Sequence, residues 1–172
     1  PDIVIKTPGI LKKKGYTNYE DLINFLDKYQ KSNPSFFKYN FIGESQKGKK
    51  VPLIDISNNS KKRKVKVWIQ GGLHGDEPAS TECVLYFIDQ LMTNNLFLLE
   101  NIHFQIIPMA NIDGYLKFDR YAANGLDLNR DQTKLEIKES LFLKASFSKF
   151  SPHVALDMHE YTSYRRDFVN FG

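Results

Sequence analysis

A histidine and a glutamate stand three residues apart in a glycine-rich bend of this 172-residue chain, at His74 and Glu77. The bend follows an apolar, β-branched run at residues 65–70 and precedes Pro78, a residue that suits the first position of a helix. An imidazole and a carboxylate at this spacing can converge on one small cation, and zinc accepts both kinds of ligand. The pair alone is a weak indication, because a solvated turn with a carboxylate at a helix N-terminus has the same sequence pattern.

A third candidate ligand follows a second short apolar run. His159 comes directly after residues 154–158, which have the composition of a strand. Because the carboxyl ends of parallel strands meet at one edge of a sheet, we expect His159 to lie near His74 and Glu77. Two histidines and one glutamate form an open catalytic zinc site that keeps a fourth position for water. The other two histidines are expected to be hydrogen-bonded and to hold no metal: His103 and His153.

Two further polar motifs lie in a long segment with few periodic apolar positions, residues 109–130. Segments of this length inside a compact domain usually carry function. The adjacent Asn129 and Arg130 can recognise a carboxylate, since a guanidinium donates to both oxygens and an amide adds a third hydrogen bond. Arg120, near the middle of the segment, can stabilise the oxyanion of a tetrahedral intermediate. A surface salt bridge is the alternative for Arg120.

The elements that position these residues alternate between helix-like and strand-like patterns. Thr17-Asn18-Tyr19-Glu20 has the spacing of a capping box, and apolar residues then follow at helical intervals. This alternation predicts an α/β fold with a mainly parallel mixed sheet covered by helices on both faces. The predicted helices cover residues 17–31, 79–92 and 133–147, and the predicted strands cover 36–42, 51–57, 65–70, 102–108 and 154–158.

Composition is that of a globular protein, with 41% hydrophobic and 13% aromatic residues. The net charge of +4 comes largely from two basic clusters in turn-like contexts, residues 47–50 and 61–64. Aromatic residues are not interleaved with these clusters, so solvated loops explain them better than a nucleic-acid surface does. No apolar run approaches the roughly 18–20 residues that span a bilayer. Cys83, the single cysteine, is expected to be a small buried residue of a helix.

Taken in order, five motifs resemble the successive motifs of the zinc metallocarboxypeptidase family, peptidase family M14. The first helix near residues 16–26 and the first hairpin near residues 42–49 also resemble that family, so the similarity covers nearly the whole chain. The motifs are His74-Gly75-Asp76-Glu77, Asn111-Ile112-Asp113-Gly114-Tyr115, Arg120, Gly125-Leu126-Asp127-Leu128-Asn129-Arg130 and Asp157-Met158-His159-Glu160-Tyr161.

The resemblance implies a role for each matching side chain. One zinc ion would be bound by His74, Glu77 and His159. The terminal carboxylate of the substrate would be held by Asn129 and Arg130, and the scissile carbonyl would be polarised by Arg120. Tyr161 would line the subsite beside the third zinc ligand.

The general base of that family, and a mobile tyrosine that closes over the substrate, lie well after the third zinc ligand. The present sequence ends at Gly172, 13 residues after His159. Glu160 neighbours a ligand, but successive side chains of a strand point to opposite faces, so we do not expect Glu160 to be the base. The resemblance therefore implies that residues 1–172 are the N-terminal portion of a single catalytic domain, with a sheet that is incomplete at its C-terminal side.

Three functions stay open at this point. The first is a carboxypeptidase that removes C-terminal amino acids from peptides, and the peptidase-like opening helix and hairpin favour it. The second is a zinc amidohydrolase that acts on N-acyl amino acids. The third is a non-catalytic module that binds zinc or a peptide without a general base. The expected partner is a peptide or small carboxylate-bearing substrate, and neither nucleic acid nor a membrane span is expected.

Overall fold

One open sheet of five strands organises the chain in the computed structural model, which describes residues 7–12 and 15–161. The last residue of the sequence, Gly172, lies outside the described residues. In chain order the strands are β1 (Phe37–Glu44), β2 (Lys50–Ile56), β3 (Val65–Gln70), β4 (Ile102–Ile107) and β5 (Val154–Asp157).

The sheet is mixed, with the spatial order β1-β2-β4-β3-β5. The first two strands form an antiparallel hairpin, and β2 also pairs antiparallel with β4. Strand β3 pairs in parallel with both of its neighbours, β4 and β5. The predicted α/β fold is confirmed, with the parallel pairing concentrated around β3. The carboxyl ends of β3, β4 and β5 therefore meet at one edge of the sheet.

Helices cover both faces of the sheet, as predicted. Phe87 packs edge-on against Phe104 of β4, with ring centroids 5.4 Å apart, and Phe147 packs edge-on against Trp68 of β3 at 5.4 Å. Trp68 and Phe104 lie on opposite faces, because Phe104 is in register with Val67 and successive side chains alternate. In chain order the helices are α1 (Pro8–Leu11), α2 (Tyr19–Ser32), α3 (Pro78–Asn94), α4 (Ile112–Tyr115) and α5 (Lys138–Phe150).

The first long helix begins one residue later than its predicted capping box. Asn18 caps α2, since its side chain accepts from the Asp21 N–H and the Asp21 carboxylate accepts from the Asn18 N–H. Thr17 is fully buried and has other partners: its hydroxyl accepts from Gly9 at 3.0 Å and its N–H donates to Glu82 at 2.6 Å. The tertiary contacts of Thr17 therefore exclude it from the capping role.

Two other expectations differ from the structure. Helix α5 begins at Lys138 and not near residue 133, because the Asp131 carboxylate accepts from the N–H groups of Glu136 and Ile137 and holds the preceding segment as a loop. The prediction that Cys83 is buried was wrong, since Cys83 is exposed. It lies four residues after Ala79 on the exposed stripe of α3.

Strand β5 is an exposed edge of this sheet. All four of its residues are exposed, and the apolar Val154 and Leu156 are each 45% accessible to solvent. The unpaired N–H and C=O groups of an exposed apolar edge strand can form hydrogen bonds with another strand. Within residues 7–12 and 15–161, no helix combines the length and the apolar composition needed to cross a membrane.

Candidate metal centre

The bend after β3 is held by a backbone ladder that continues beyond the strands. Gly71 donates to the carbonyl of Ile107 at 2.8 Å, and Ala110 donates back to Gly71 at 3.0 Å. Asn111 then donates to Gly72 at 2.8 Å. Gly72 has a φ of 65°, a left-handed conformation that glycine adopts without strain. The bend therefore runs beside the segment that follows β4.

Gly75 allows this bend to touch the loop after α4. A Cβ atom on Gly75 would lie within 3.0 Å of the backbone of Gly114 and Asp119. On the other side of the bend, the Ser80 hydroxyl accepts from Gly72 at 2.9 Å and donates to the carbonyl of Glu77 at 2.6 Å. Backbone contacts on both sides therefore fix the orientation of the two candidate ligands in this bend.

The three candidate ligands converge. One ligand atom from each of His74, Glu77 and His159 lies within 4.8 Å of the other two. The Nδ1 atom of His74 is 2.8 Å from Glu77 Oε1, and the Nδ1 atom of His159 is 2.7 Å from Glu77 Oε2. His74 and Glu77 are buried. Two imidazole nitrogens and a carboxylate around one small volume form a donor set that suits zinc.

Each imidazole has a further carboxylate on its other nitrogen. His74 Nε2 lies 3.1 Å from Asp127 Oδ1, and His159 Nε2 lies 3.1 Å from Asp157 Oδ2. With a metal on Nδ1 in place of the contact to Glu77, a carboxylate in this position would accept the Nε2 proton and hold the ring in the orientation that presents Nδ1 to the metal. The outer contacts of both histidines therefore fit a metal bound through the two Nδ1 atoms.

Arg120 lies against the same centre. Its guanidinium donates to Asp127 Oδ2 from Nε at 3.1 Å and from one terminal nitrogen at 3.0 Å. The other terminal nitrogen is 3.6 Å from Glu77 Oε1. Arg120 is thus in an ion pair, as the alternative interpretation predicted, but its partners belong to the candidate metal centre and its side chain is only 23% exposed.

Both carboxylates that face His74 favour the ionised form. Burial raises the pKa of Glu77, but hydrogen bonds from the Glu160 N–H and the two imidazoles outweigh it and hold the pKa below its ordinary value. Burial also raises the pKa of Asp127, and the Asn129 N–H together with Arg120 again lowers it below the ordinary value. Both carboxylates are therefore ionised at neutral pH, which favours a divalent cation.

The remaining candidate residues lie on one side of His159. The Asn129 Nδ2 atom is 3.5 Å from His159 Nε2, and the ring centroid of Tyr161 is 6.5 Å from that of His159. Arg130 is exposed, in a 3₁₀ turn (Leu128–Arg130) whose first N–H groups are capped by Asp127. Within the described ranges, no ion pair involves the Arg130 guanidinium.

Sequence reasoning assigned no role to Asp127 or Asp157, the two outer carboxylates. Both belong to motifs that resemble the zinc metallocarboxypeptidase family: Asp127 stands two residues before Asn129, and Asp157 stands two residues before His159. The signal that could have found them is the need of a ligating histidine for a second partner. Local sequence does not show the contact of Asp127 with His74, because 53 residues separate them along the chain.

Glu160, His103 and His153 lie outside the candidate ligand set. The Glu160 carboxylate accepts from the Ala79 N–H at 3.0 Å, at the start of α3. His103 Nε2 is 2.9 Å from Asp55, and His153 Nδ1 accepts from the Lys66 N–H at 2.9 Å. The contacts of His103 and His153 confirm the prediction that these two histidines are hydrogen-bonded.

The fold and this site define a class of protein: an α/β protein with a candidate two-histidine, one-glutamate metal centre at the carboxyl ends of parallel strands. A family model described as Zinc carboxypeptidase, Peptidase_M14, matches residues 22–159. The chain belongs to this family, as the sequence motifs predicted.

Named relatives and solved structures agree with this assignment. Carboxypeptidase 2 of Trichophyton rubrum is 37% identical over 170 residues, which cover 90% of this chain and 31% of the fungal protein. Carboxypeptidase SOL1 of Arabidopsis thaliana is 29% identical over 133 residues, which cover 73% of this chain and 27% of the plant protein. The crystal structure of carboxypeptidase A from Helicoverpa armigera matches with a TM-score of 0.77 at 23% identity, over 86% of this chain and 46% of that chain. The chain therefore spans about a third of the length of the fungal relative.

Proposed function

We propose that this chain supplies the metal-binding and carboxylate-binding residues of a zinc carboxypeptidase, which removes C-terminal amino acids from peptides. The observation that carries this proposal is the convergence of His74, Glu77 and His159 within 4.8 Å. Membership of the Zinc carboxypeptidase family and the names of the relatives support the same function. The partner is then a peptide with a free terminal carboxylate.

In this proposal the side chains around the centre have separate tasks. His74, Glu77 and His159 hold one Zn²⁺, which when bound acts as a Lewis acid and lowers the pKa of water. Asp127 orients the His74 imidazole and also holds the Arg120 guanidinium. Arg120 stabilises the negative charge that develops on the carbonyl oxygen of the scissile bond, because its guanidinium is already fixed before the reaction.

The substrate carboxylate binds on the exposed side of the centre. Arg130 is available for a bidentate contact, since no carboxylate of residues 7–12 or 15–161 lies within ion-pair distance of it. Asn129 adds an amide donor close to His159. Tyr161, beside the His159 ring, lines the neighbouring subsite in this proposal.

We also propose that residues 1–172 form the N-terminal portion of one catalytic domain and that a glutamate from elsewhere in the protein is the general base. The coverage of 31% of the Trichophyton rubrum relative supports this division. The contact of Glu160 with Ala79 supports it as well, since that carboxylate is engaged at the start of α3. The exposed apolar edge of β5 is a surface on which a further strand can pair.

The test is hydrolysis by the purified protein that carries this chain, with its intact mass and zinc content measured on the same sample. The substrates are N-blocked dipeptides with a panel of C-terminal residues, the same dipeptides as C-terminal amides, and N-acetyl amino acids. We expect release of the C-terminal residue from the free acids only, loss of activity with a chelator and recovery with Zn²⁺.

The other outcomes separate the alternatives. Cleavage of N-acetyl amino acids without cleavage of dipeptides would replace the proposal by an amidohydrolase. One bound zinc ion per chain without hydrolysis of any substrate would replace it by a non-catalytic binding module. Equal cleavage of the acids and the amides would contradict the role given to Arg130 and Asn129.

A further inference from the structure

A polar cavity lies at the amino-terminal ends of the parallel strands, whereas the candidate metal centre lies at their carboxyl ends. Its volume is about 410 Å³. Its wall comes from the amino-terminal sides of β3, β4 and β5 and from the loop that follows β2, residues 57–64. Four cations line it, and three of them belong to a basic cluster that the sequence placed in a solvated loop: Lys62, Arg63, Lys64 and Lys66.

Within residues 7–12 and 15–161, no carboxylate forms an ion pair with the lysines and the arginine of this cavity. Lys64 donates to the Ser57 hydroxyl at 3.0 Å and to the Asn58 carbonyl at 2.9 Å, and Lys66 donates to the Phe150 carbonyl at 2.9 Å. These acceptors are neutral oxygens, so they position the ammonium groups without cancelling their charge. None of the ion pairs in the described part of the chain involves the four cations.

Two histidines also line the cavity, and one of them, His153, adds a donor. His153 Nδ1 accepts from the Lys66 N–H at 2.9 Å, which places the proton of the neutral ring on Nε2, where it can be donated. His103 is paired with Asp55 at 2.9 Å. The Asp55 carboxylate also accepts from Gln105 at 2.9 Å, so it is engaged on the neighbouring side of the wall.

We propose that this cavity, the basic pocket (Ser57, Ser60, Lys62, Arg63, Lys64, Lys66, His103 and His153), binds a compact oxyanion of the phosphate or sulfate class with at least two negative charges. Ammonium, guanidinium, hydroxyl and imidazole donors surround one concave volume, and this combination matches the oxygens of such a group.

The shape of the basic pocket favours a compact anion over a nucleic-acid strand. No Phe, Tyr or Trp belongs to its wall, whereas single-stranded nucleic acids are bound through stacking on aromatic rings. Three of the four cations line the cavity from one short loop, and Lys66 joins them from β3. A small polyanion can contact several of them at once.

The basic pocket is remote from the proposed catalytic site. Lys66 is the second residue of β3, and the strand runs four residues further to Gln70, a rise of about 13 Å at roughly 3.3 Å per residue. The basic pocket and the bend that carries His74 therefore lie beyond opposite ends of this strand. Oxyanion binding is therefore independent of whether the chain hydrolyses peptides, and either proposal can fail alone.

Calorimetric titration of the metal-loaded protein with sodium sulfate tests the proposal, since sulfate is compact, carries two negative charges and does not remove zinc. We expect saturable one-to-one binding that weakens as NaCl is raised. The double variant K62E/R63E should weaken it at least about tenfold, because it removes charge-assisted hydrogen bonds and adds repulsion. The matched control is K49E/K50E, which makes the same charge change on the β1–β2 hairpin and should alter the affinity less than about twofold.

Lack of saturable binding, or equal loss in the two double variants, would overturn the proposal. Two further titrations distinguish the sources of the anion: a sulfated disaccharide for a glycan, and vesicles with 10% phosphatidylinositol 4-phosphate for a lipid headgroup. A DNA oligonucleotide that binds more tightly than sulfate and depends equally on both basic clusters would replace the pocket by an extended nucleic-acid surface. Peptide hydrolysis by K62E/R63E should equal that of the wild type.

Discussion

The Nε2 atom of His74 lies 3.1 Å from the Oδ1 atom of Asp127, although 53 residues separate them in sequence. The second carboxylate oxygen of Asp127 accepts from Arg120 at 3.0 Å. One partly buried carboxylate thus joins a candidate zinc ligand to the group proposed to stabilise the oxyanion. The same side chain also caps the turn that carries Asn129 and Arg130. Asp127 therefore positions the His74 imidazole, the Arg120 guanidinium and the turn that carries Asn129 and Arg130.

Replacement of this carboxylate should weaken metal binding without removing a ligand. We expect Asp127→Asn to lower zinc affinity about 10- to 100-fold, because an amide cannot match the carboxylate as a partner of the His74 N–H. Competition with a chromophoric chelator measures this change. Asp55→Asn is the matched control, since Asp55 makes the same kind of contact with His103 at 2.9 Å. Equal affinity in Asp127→Asn and the wild type would show that Asp127 does not support the metal site.

Removal of the Arg130 guanidinium should weaken the binding of substrates, because it removes the contact with their terminal carboxylate. We expect Arg130→Ala to lower kcat/KM about 10- to 100-fold, mainly through a higher KM, because a charge-assisted contact to the substrate is removed. Steady-state kinetics on a blocked dipeptide measure the change. Arg130→Lys should recover only part of the loss, since an ammonium cannot make the bidentate contact. An unchanged KM in Arg130→Ala would assign the carboxylate to another residue.

The close approach at Gly75 makes a prediction about stability. Gly75→Ala places a methyl group within 3.0 Å of the Gly114 and Asp119 backbone, so the bend and the loop must separate. We expect a loss of about 1–3 kcal/mol in the free energy of unfolding, measured by denaturant titration. The exposed neighbour Asp76 is the control, and Asp76→Ala should stay within about 0.5 kcal/mol of the wild type. Similar stability of both variants would contradict the described packing.

Asp131 should contribute a pH-dependent part of the stability. Burial raises the pKa of Asp131, but hydrogen bonds from the N–H groups of Ile137 and Glu136 outweigh it and hold the pKa below its ordinary value of about 4. A folded-state pKa below the unfolded one stabilises the fold above the unfolded pKa, and this contribution is lost as the pH falls through the folded pKa.

We therefore expect Asp131→Asn to cost about 1–3 kcal/mol of unfolding free energy at pH 7, because two backbone donors lose a charged acceptor. The difference between the wild type and the variant should shrink when denaturant unfolding is repeated between pH 5 and pH 3. A difference that stays constant over this range would mean that the Asp131 charge does not contribute.

Local sequence was sufficient where one pattern decided the outcome. The β-branched run of β3 was predicted at residues 65–70, and these are its bounds in the structure. The meeting of His159 with His74 and Glu77 was also predicted, since strand ends in a parallel sheet converge whatever the intervening sequence. These predictions rest on the alternation of side chains and on topology.

Tertiary contacts decided the features that sequence missed. Thr17 has the spacing of a cap, but its buried contacts with Gly9 and Glu82 exclude it from that role. Cys83 stands in an apolar helical run and is nevertheless exposed, because it lies on the stripe of α3 that faces away from the sheet. The basic cluster at residues 61–64 lies in a largely exposed loop, as predicted, and the fold adds Lys66 and His153 to it around one cavity.

The most direct test of the central claim is zinc content per chain, measured by inductively coupled plasma mass spectrometry after gel filtration in metal-buffered solution. We expect about one zinc ion per chain in the wild type and in His103→Ala, and almost none in His159→Ala. Retention of zinc by His159→Ala, or an equal loss in the two histidine variants, would contradict a metal centre formed by His74, Glu77 and His159.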